Sequence, residues 1–129
     1  MITIMFCIRR KPSISQQAFL DCWLGHGKLV AKHAQKLGIV RYVQNHGVHQ
    51  AEAAGAQAQR GLAEQFDGVA EISFASWEDI ERGLFSPEVQ SIHQELMADE
   101  LNFVDHGRSS TFFTEAVEID LTAAREGRE

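Results

Sequence analysis

Two histidines and three carboxylates have the residue types that proton transfer at neutral pH requires: His26 and His46, with Glu71, Glu100 and Asp105. An imidazole titrates near the working pH and a neighbouring carboxylate stabilises its charged form, so such a set suits general acid and base chemistry if it converges. Tyr42 and Gln44, in the same short stretch as His46, add donors able to hold a carbonyl or phenolate oxygen. The competing reading is a buried hydrogen-bond network that only fixes two helices on a sheet. His26 stands out because Gly25 and Gly27 flank it inside a helical pattern, where each glycine costs roughly 1 kcal/mol relative to alanine. Either the backbone there approaches a neighbour or kinks to aim His26 into a cavity, or the glycines serve tight packing on the sheet and His26 sits at a solvent edge.

Other chemistries lack their spacing. His26 with His33 at i, i+7 and His46 with His49 at i, i+3 on a strand end do not make a metal cluster, and no metal site is expected. No glycine-rich phosphate loop follows a strand, no G-x-S-x-G occurs, and Cys7 and Cys22 have no sequence-level base. Nothing requires haem or another cofactor, and none is expected.

The elements that must position these groups follow from periodicity. At about 100° per residue, Phe19, Leu20, Trp23, Leu24, Gly27, Val30, Ala31, Ala34 and Leu37 fall within an arc of about 140°, a core-facing helix with His26 and His33 on one flank. Ser13 with Gln16 suits a capping box at its start, and Gly38 a left-handed stop. Ile2–Ile8 and Ile39–His46 read as strands, and Asp67-Gly68 opens a third, Val69–Phe74. Ser76 caps a short helix over Trp77–Leu84, and Ser86-Pro87 starts a longer one to about Asn102, in which His93 and Glu100 project from the middle of the apolar arc. A buried Glu100 needs a partner; otherwise the helix frays before it. Ser110–Val117 gives a fourth strand. Residues 47–66, rich in Ala, Gln and Gly, are an excursion with at most a helical turn that borders or covers a site, or an insertion without a role. Residues 1–119 form one domain and 120–129 a frayed polar tail.

The order βαββαβ predicts an α+β, ferredoxin-like fold with both helical regions on one face of a four-stranded antiparallel sheet. If Ile2, Ile4, Phe6 and Ile8 face the helices with Ala70, Ile72 and Phe74, strict alternation leaves Thr3, Met5, Cys7, Tyr42, Gln44 and His46 on the other side. Val69, Glu71, Ser73, Phe113 and Glu115 join them there. That face is too apolar for bare solvent and too polar for a dry core, so a second copy laid on it, a homodimer, is the expected solution. A one-residue register slip would exchange Tyr42, Gln44 and His46 for Arg41, Val43 and Asn45.

Composition narrows the partners. The 129 residues carry a formal charge of -6 and 44% hydrophobic residues, and the twelve lysines and arginines form no long run, which argues against nucleic acid. No stretch has the length of a membrane span, and the first residues run into Arg9-Arg10-Lys11, the wrong polarity for a signal peptide. With two cysteines and no C-x-x-C, the expectation is a cytoplasmic protein with reduced thiols.

Read in order, Phe19-x-x-x-Trp23-x-x-His26-Gly27-x-Leu29-Val30, then Arg41-Tyr42-x-Gln44-x-His46, Asp67-Gly68-Val69-Ala70-Glu71, Ser86-Pro87 and Asp99-Glu100-x-x-Phe103-x-Asp105 resemble the EthD family of the dimeric α+β barrel superfamily, over most of residues 1–117. The resemblance implies a homodimer with sheets face to face and a small-molecule cavity between sheet and helices. It implies links to breakdown of ethers and other xenobiotics and to polyketide tailoring, with cofactor-free monooxygenases and a muconolactone isomerase among superfamily relatives. Lys28 departs from the family pattern, which often has proline after His-Gly, and so does the 47–66 excursion; both bear on the cavity mouth. The expected site therefore has His26, His46, Glu71 and Asp105 as catalytic groups and Trp23, Tyr42, Gln44, Glu100, Phe103 and Phe113 as substrate contacts. The expected function is a small cofactor-independent enzyme acting by proton transfer on an apolar, oxygen-bearing metabolite, as oxidoreductase, isomerase or lyase. The alternative is a non-catalytic small-molecule-binding accessory protein of an oxidative pathway.

Overall fold

A computed structural model describes residues 1–125; positions 126–129 of the expected tail lie outside the described residues. The elements run β1 (Ile2–Ile8), α1 (Gln16–Leu37), β2 (Ile39–His46), α2 (Gln50–Arg60), β3 (Gly68–Phe74), α3 (Trp77–Phe85), α4 (Gln90–Glu100), β4 (Ser110–Thr114) and a short α5 (Thr122–Arg125). The strands form one antiparallel sheet in the order β2-β3-β1-β4, the expected ferredoxin-like topology. No helix among the described residues is long and apolar enough to cross a membrane.

Local chemistry sets most boundaries. The cap of α1 is Ser15, whose side chain accepts from the Ala18 N–H at 3.1 Å, rather than the expected Ser13; Gln16 then begins the helix and its amide donates to the Gly47 carbonyl instead of reaching back. Gly38 ends α1 at φ 78, as a residue without a Cβ can, with its N–H on the carbonyls of Ala34 and Gln35. Pro87 opens a 3₁₀ turn over Pro87–Val89, not the long helix itself, and α4 stops at Glu100, two residues short of Asn102. The 47–66 excursion holds a full helix, α2, with no buried residue. β4 ends at Thr114 rather than Val117.

The buried stripe of α1 is Phe19, Trp23, His26, Val30 and Leu37, so His26 lies in the core-facing row and not on its flank, while Leu24 is exposed. Phe19 packs between Trp23 and Phe103, with ring centroids 5.5 and 5.8 Å away. Each such buried side chain contributes on the order of 1.5–3 kcal/mol through area removed from water.

The main correction concerns β2. Ile39 pairs with Phe74 but Arg41 pairs with Ser73, so β2 carries one extra residue, a bulge at Val40. Beyond it Tyr42 lies opposite Ile72, Gln44 opposite Ala70 and His46 opposite Gly68, which puts all three beneath the helices rather than on the open face. Phe113 pairs with Ile4 and joins them there. The open face instead carries Arg41, Val43 and Asn45, with a central row Phe112, Met5, Glu71 and Val43 across the four strands.

Candidate active site

Two rows of the helix-covered face, Phe113–Ile4–Ile72–Tyr42 and Thr111–Phe6–Ala70–Gln44, form a floor, and α1 and α4 form the roof. Between them lies a cavity of about 330 Å³, inside the range of roughly 300–1,000 Å³ seen for small-molecule sites. Its walls are mostly aliphatic and aromatic, and its polar side chains are His26, Tyr42, Glu100, His93 and Thr111. The lining reaches the surface at Met97, Phe112 and Phe113, which are about half exposed.

His26 is held from both sides. Its Nδ1 lies 2.8 Å from Asp99 Oδ2, and its Nε2 lies 3.7 Å from Glu100 Oε2. A carboxylate only accepts, so the Nδ1 proton goes to Asp99, and in the neutral ring Nε2 keeps its lone pair. The ring also sits edge-on to Phe103, with centroids 5.5 Å apart. Glu100 is held in turn: its Oε1 accepts from His106 Nε2 at 3.0 Å. Exposure rises outward, from 8% for the His26 side chain through 17% for Glu100 to 32% for His106 and 37% for Asp99. Glu100 is half-buried rather than fully buried, and its two partners are histidines. Gly27 has a steric reason: a Cβ there would sit 2.8 Å from Gln44 Nε2 and 3.6 Å from the Tyr42 ring, so an alanine would have to push the Gln44 amide off its hydrogen bonds to Trp23 and Tyr42. Gly25 has none, since a Cβ there meets nothing within 4 Å.

Tyr42, Gln44 and His46 form one chain of hydrogen bonds. Gln44 Nε2 donates to the Trp23 carbonyl at 2.7 Å and to Tyr42 Oη at 3.0 Å, and Gln44 Oε1 accepts from His46 Nε2 at 2.9 Å. The His46 ring stacks on Trp23 with centroids 4.9 Å apart. Both amide protons of Gln44 and its carbonyl are used within the protein, so it holds the Tyr42 oxygen rather than facing the cavity. Tyr42 accepts from Gln44 and keeps its own hydroxyl proton to donate into the cavity it lines.

Burial pushes the Tyr42 phenol above its ordinary range; donors from Gln44 and Trp23 pull it down and the charge of Glu100 pushes it up again. The group is therefore a neutral donor throughout the physiological range. Tyr42 is the sole tyrosine, so tyrosinate absorbance near 295 nm reports it directly. We expect the native midpoint to lie above about 10, returning to about 10 in guanidinium. Since the folded pKa is the raised one, the associated stability is intact below the unfolded value and is lost as pH rises through the folded value. A native midpoint at or below the denatured one would contradict this placement.

A model of the EthD domain matches residues 11–107. The chain belongs to the EthD family. Solved structures share the fold at low identity. An EthD family protein from Bacillus halodurans is 15% identical, with TM-score 0.59, over 91% of this chain and 100% of the other. A dimeric protein of unknown function with a ferredoxin-like fold from Bacteroides fragilis is 8% identical, with TM-score 0.60, over 89% and 95%. SnoaB, a cofactor-independent oxygenase from Streptomyces nogalater, is 12% identical, with TM-score 0.51, over 92% and 94%. No curated protein is similar enough in sequence to match.

Within this EthD chain the five expected acid and base groups do not all converge. His26 and Glu100 meet at the cavity, and Trp23, Tyr42, Phe103 and Phe113 line it with them. His46 lies behind Trp23. Glu71 is on the opposite face of the sheet, bonded to Asn45 Nδ2 at 2.8 Å and Arg41 Nη1 at 3.4 Å, because its register neighbour is Met5 and not Ile4. Asp105 also lies outside the lining, beside Arg108. Two groups in contact with the site were not singled out from sequence: Asp99, adjacent to Glu100 in the EthD-like stretch, and His106, six residues beyond it. A carboxylate pair closing a helix that packs on the His26 helix was the available signal. Among the described residues no group of three or more His, Cys, Asp or Glu is arranged to hold a metal ion.

Proposed function

We propose that this EthD-family chain is a cofactor-independent enzyme that moves a proton on an apolar, oxygen-bearing metabolite. The observation that carries the reading is His26, buried in the wall of an apolar cavity with Nδ1 2.8 Å from Asp99 Oδ2, so that in the neutral ring the lone pair falls on Nε2. In this reading Nε2 is the base, Tyr42 donates to the substrate oxygen on which charge develops, and Glu100, anchored by His106, takes up the positive charge of the imidazolium. His46 and Gln44 are positioning residues that hold the phenol oxygen, and Glu71 and Asp105 have structural roles. SnoaB's description as a cofactor-independent oxygenase is compatible with proton abstraction as the protein's part in such chemistry, while isomerisation and elimination use the same step. The test is turnover of a panel of phenols, enol lactones and 1,3-diketones by the purified protein, followed by mass and by incorporation of solvent deuterium at carbon. Conversion or exchange supports the reading; ligands bound and released unchanged, without exchange, favour an accessory binding protein instead.

The functional unit is a homodimer joined through the open sheet face, as the description of the Bacteroides fragilis neighbour as dimeric supports. The row Phe112–Met5–Glu71–Val43 gives that interface an apolar body with one charged group already paired to Arg41. Native mass spectrometry should give a dimer for the wild type and a monomer for Phe112→Glu, a side chain 53% exposed in the single chain and so tolerant of the change. A monomeric wild type at micromolar concentration would overturn the arrangement.

A further inference from the structure

The proton-transfer groups occupy one end of the cavity, yet α4 contributes a second polar side chain to its wall. His93 and Glu100 both line the cavity and are seven residues apart on one helix, which places them on the same face about 10 Å apart along its axis. Between them the walls are apolar, with Leu96 from α4, Val30 and Leu37 from α1, and Ile72 from the sheet. The His93 ring has a fixed proton: Nε2 lies 2.7 Å from the Gly83 carbonyl oxygen, which can only accept, so Nε2 carries the hydrogen. Among the described residues its other nitrogen, Nδ1, has no hydrogen-bond partner, nor is it a fully buried orphan. In the neutral ring that atom is an acceptor.

We propose that His93 is a distal binding subsite, accepting through Nδ1 a hydrogen bond from a hydroxyl at the far end of an elongated ligand whose reacting oxygen lies at Tyr42 and His26. This rests on the cavity reading given above and adds to it the ligand class: an elongated molecule oxygenated at both ends and apolar between, with a donor at the end away from the chemistry. An apolar middle suits the site because the stretch between the polar ends has nothing to satisfy a polar group midway. The two histidines thus divide the work: the one pinned by a carboxylate offers a base, and the one pinned by a carbonyl offers a fixed acceptor.

The probes are 2-naphthol and 2,6-dihydroxynaphthalene, titrated calorimetrically into the wild type, His93→Leu and His26→Gln. One added neutral hydrogen bond is expected to favour the diol, so the ratio of diol to mono-ol affinity should fall roughly three- to tenfold in His93→Leu. In His26→Gln the ratio should stay near its wild-type value, because that variant alters the end both probes share. If His93→Leu does not fold, imidazole ¹⁵N spectra of the wild type serve the same purpose: the His93 Nδ1 resonance should move upfield with the diol and less with the mono-ol. Equal affinity ratios in wild type and His93→Leu, or an Nδ1 resonance indifferent to the diol, would overturn the subsite while leaving the cavity reading intact. Failure of both probes to bind the wild type would overturn the cavity reading, and the subsite with it.

Discussion

His26→Ala is expected to lower turnover on any substrate the panel reveals by about 10²- to 10⁴-fold, the usual loss when a positioned base is removed. Water can enter the gap, but it lacks an imidazole's basicity and nothing orients it. Asp99→Asn should fail in the same direction for a different reason. An asparagine amide can present its N–H to Nδ1, which moves the ring proton to Nε2 and removes the lone pair from the reactive end. Asp99 is 37% exposed on its side chain, so the cost of that change to folding is small compared with its cost to chemistry. The check is kcat together with the thermal midpoint for each variant. Wild-type rates in both, with folding intact, would remove His26 from the mechanism.

Gly83→Ala is expected to be strongly destabilising for so small a substitution. Gly83 is buried where α3 meets the end of α1, and a Cβ there would overlap the Leu37 carbonyl oxygen and lie 3.2 Å from the Phe74 ring. The neighbour that would have to move is backbone, held by the Gly38 cap, so the strain cannot be relieved by a rotamer change. Overpacking of this kind costs on the order of 3 kcal/mol, or a fall of about 10 °C in Tm for a domain of this size. Gly25→Ala has the opposite sign. Its Cβ meets nothing, and the helix gains up to about 1 kcal/mol of propensity. Thermal melts of the two variants decide the matter: a Gly83→Ala protein melting within about 2 °C of wild type would refute the close approach of α3 to α1.

The pair also shows what residue types alone reveal. Gly25 and Gly27 look equivalent in the sequence, yet a Cβ at Gly27 would meet Gln44 and one at Gly25 nothing, because the contact belongs to a strand residue 17 positions further on. Long apolar periodicity in α1, the Gly38 stop and the β-branched run of β1 were legible, since each is a local consequence of backbone chemistry. That His26 faces a cavity is one of the two readings its flanking glycines allow, but its contact with Asp99 is not readable from residue types. That pairing depends on where two helices cross, a tertiary fact. The faces of β2 are not readable from residue types for one physical reason: regular alternation from Ile39 turns Tyr42 outward, and a bulge leaves no mark in residue type when the extra residue is an ordinary valine. The eleven-residue helix in the excursion was underestimated because nothing in it is buried, so it lacks the apolar stripe by which helices are recognised.

The bulge makes Val40 a surplus residue. Were it lost, Ile39 and Tyr42 would stand two places apart in an ordinary pleat, both still under the helices, and the phenol would keep its aim. Loss of Val43 instead would leave Tyr42 in place and swing Gln44 and His46 outward, stripping the phenol oxygen of its amide donor. Tolerance of β2 to shortening is therefore concentrated at one position. Removal of Val40 should keep Tyr42, Gln44 and His46 beneath the helices, whereas removal of Val43 should turn the last two away from them.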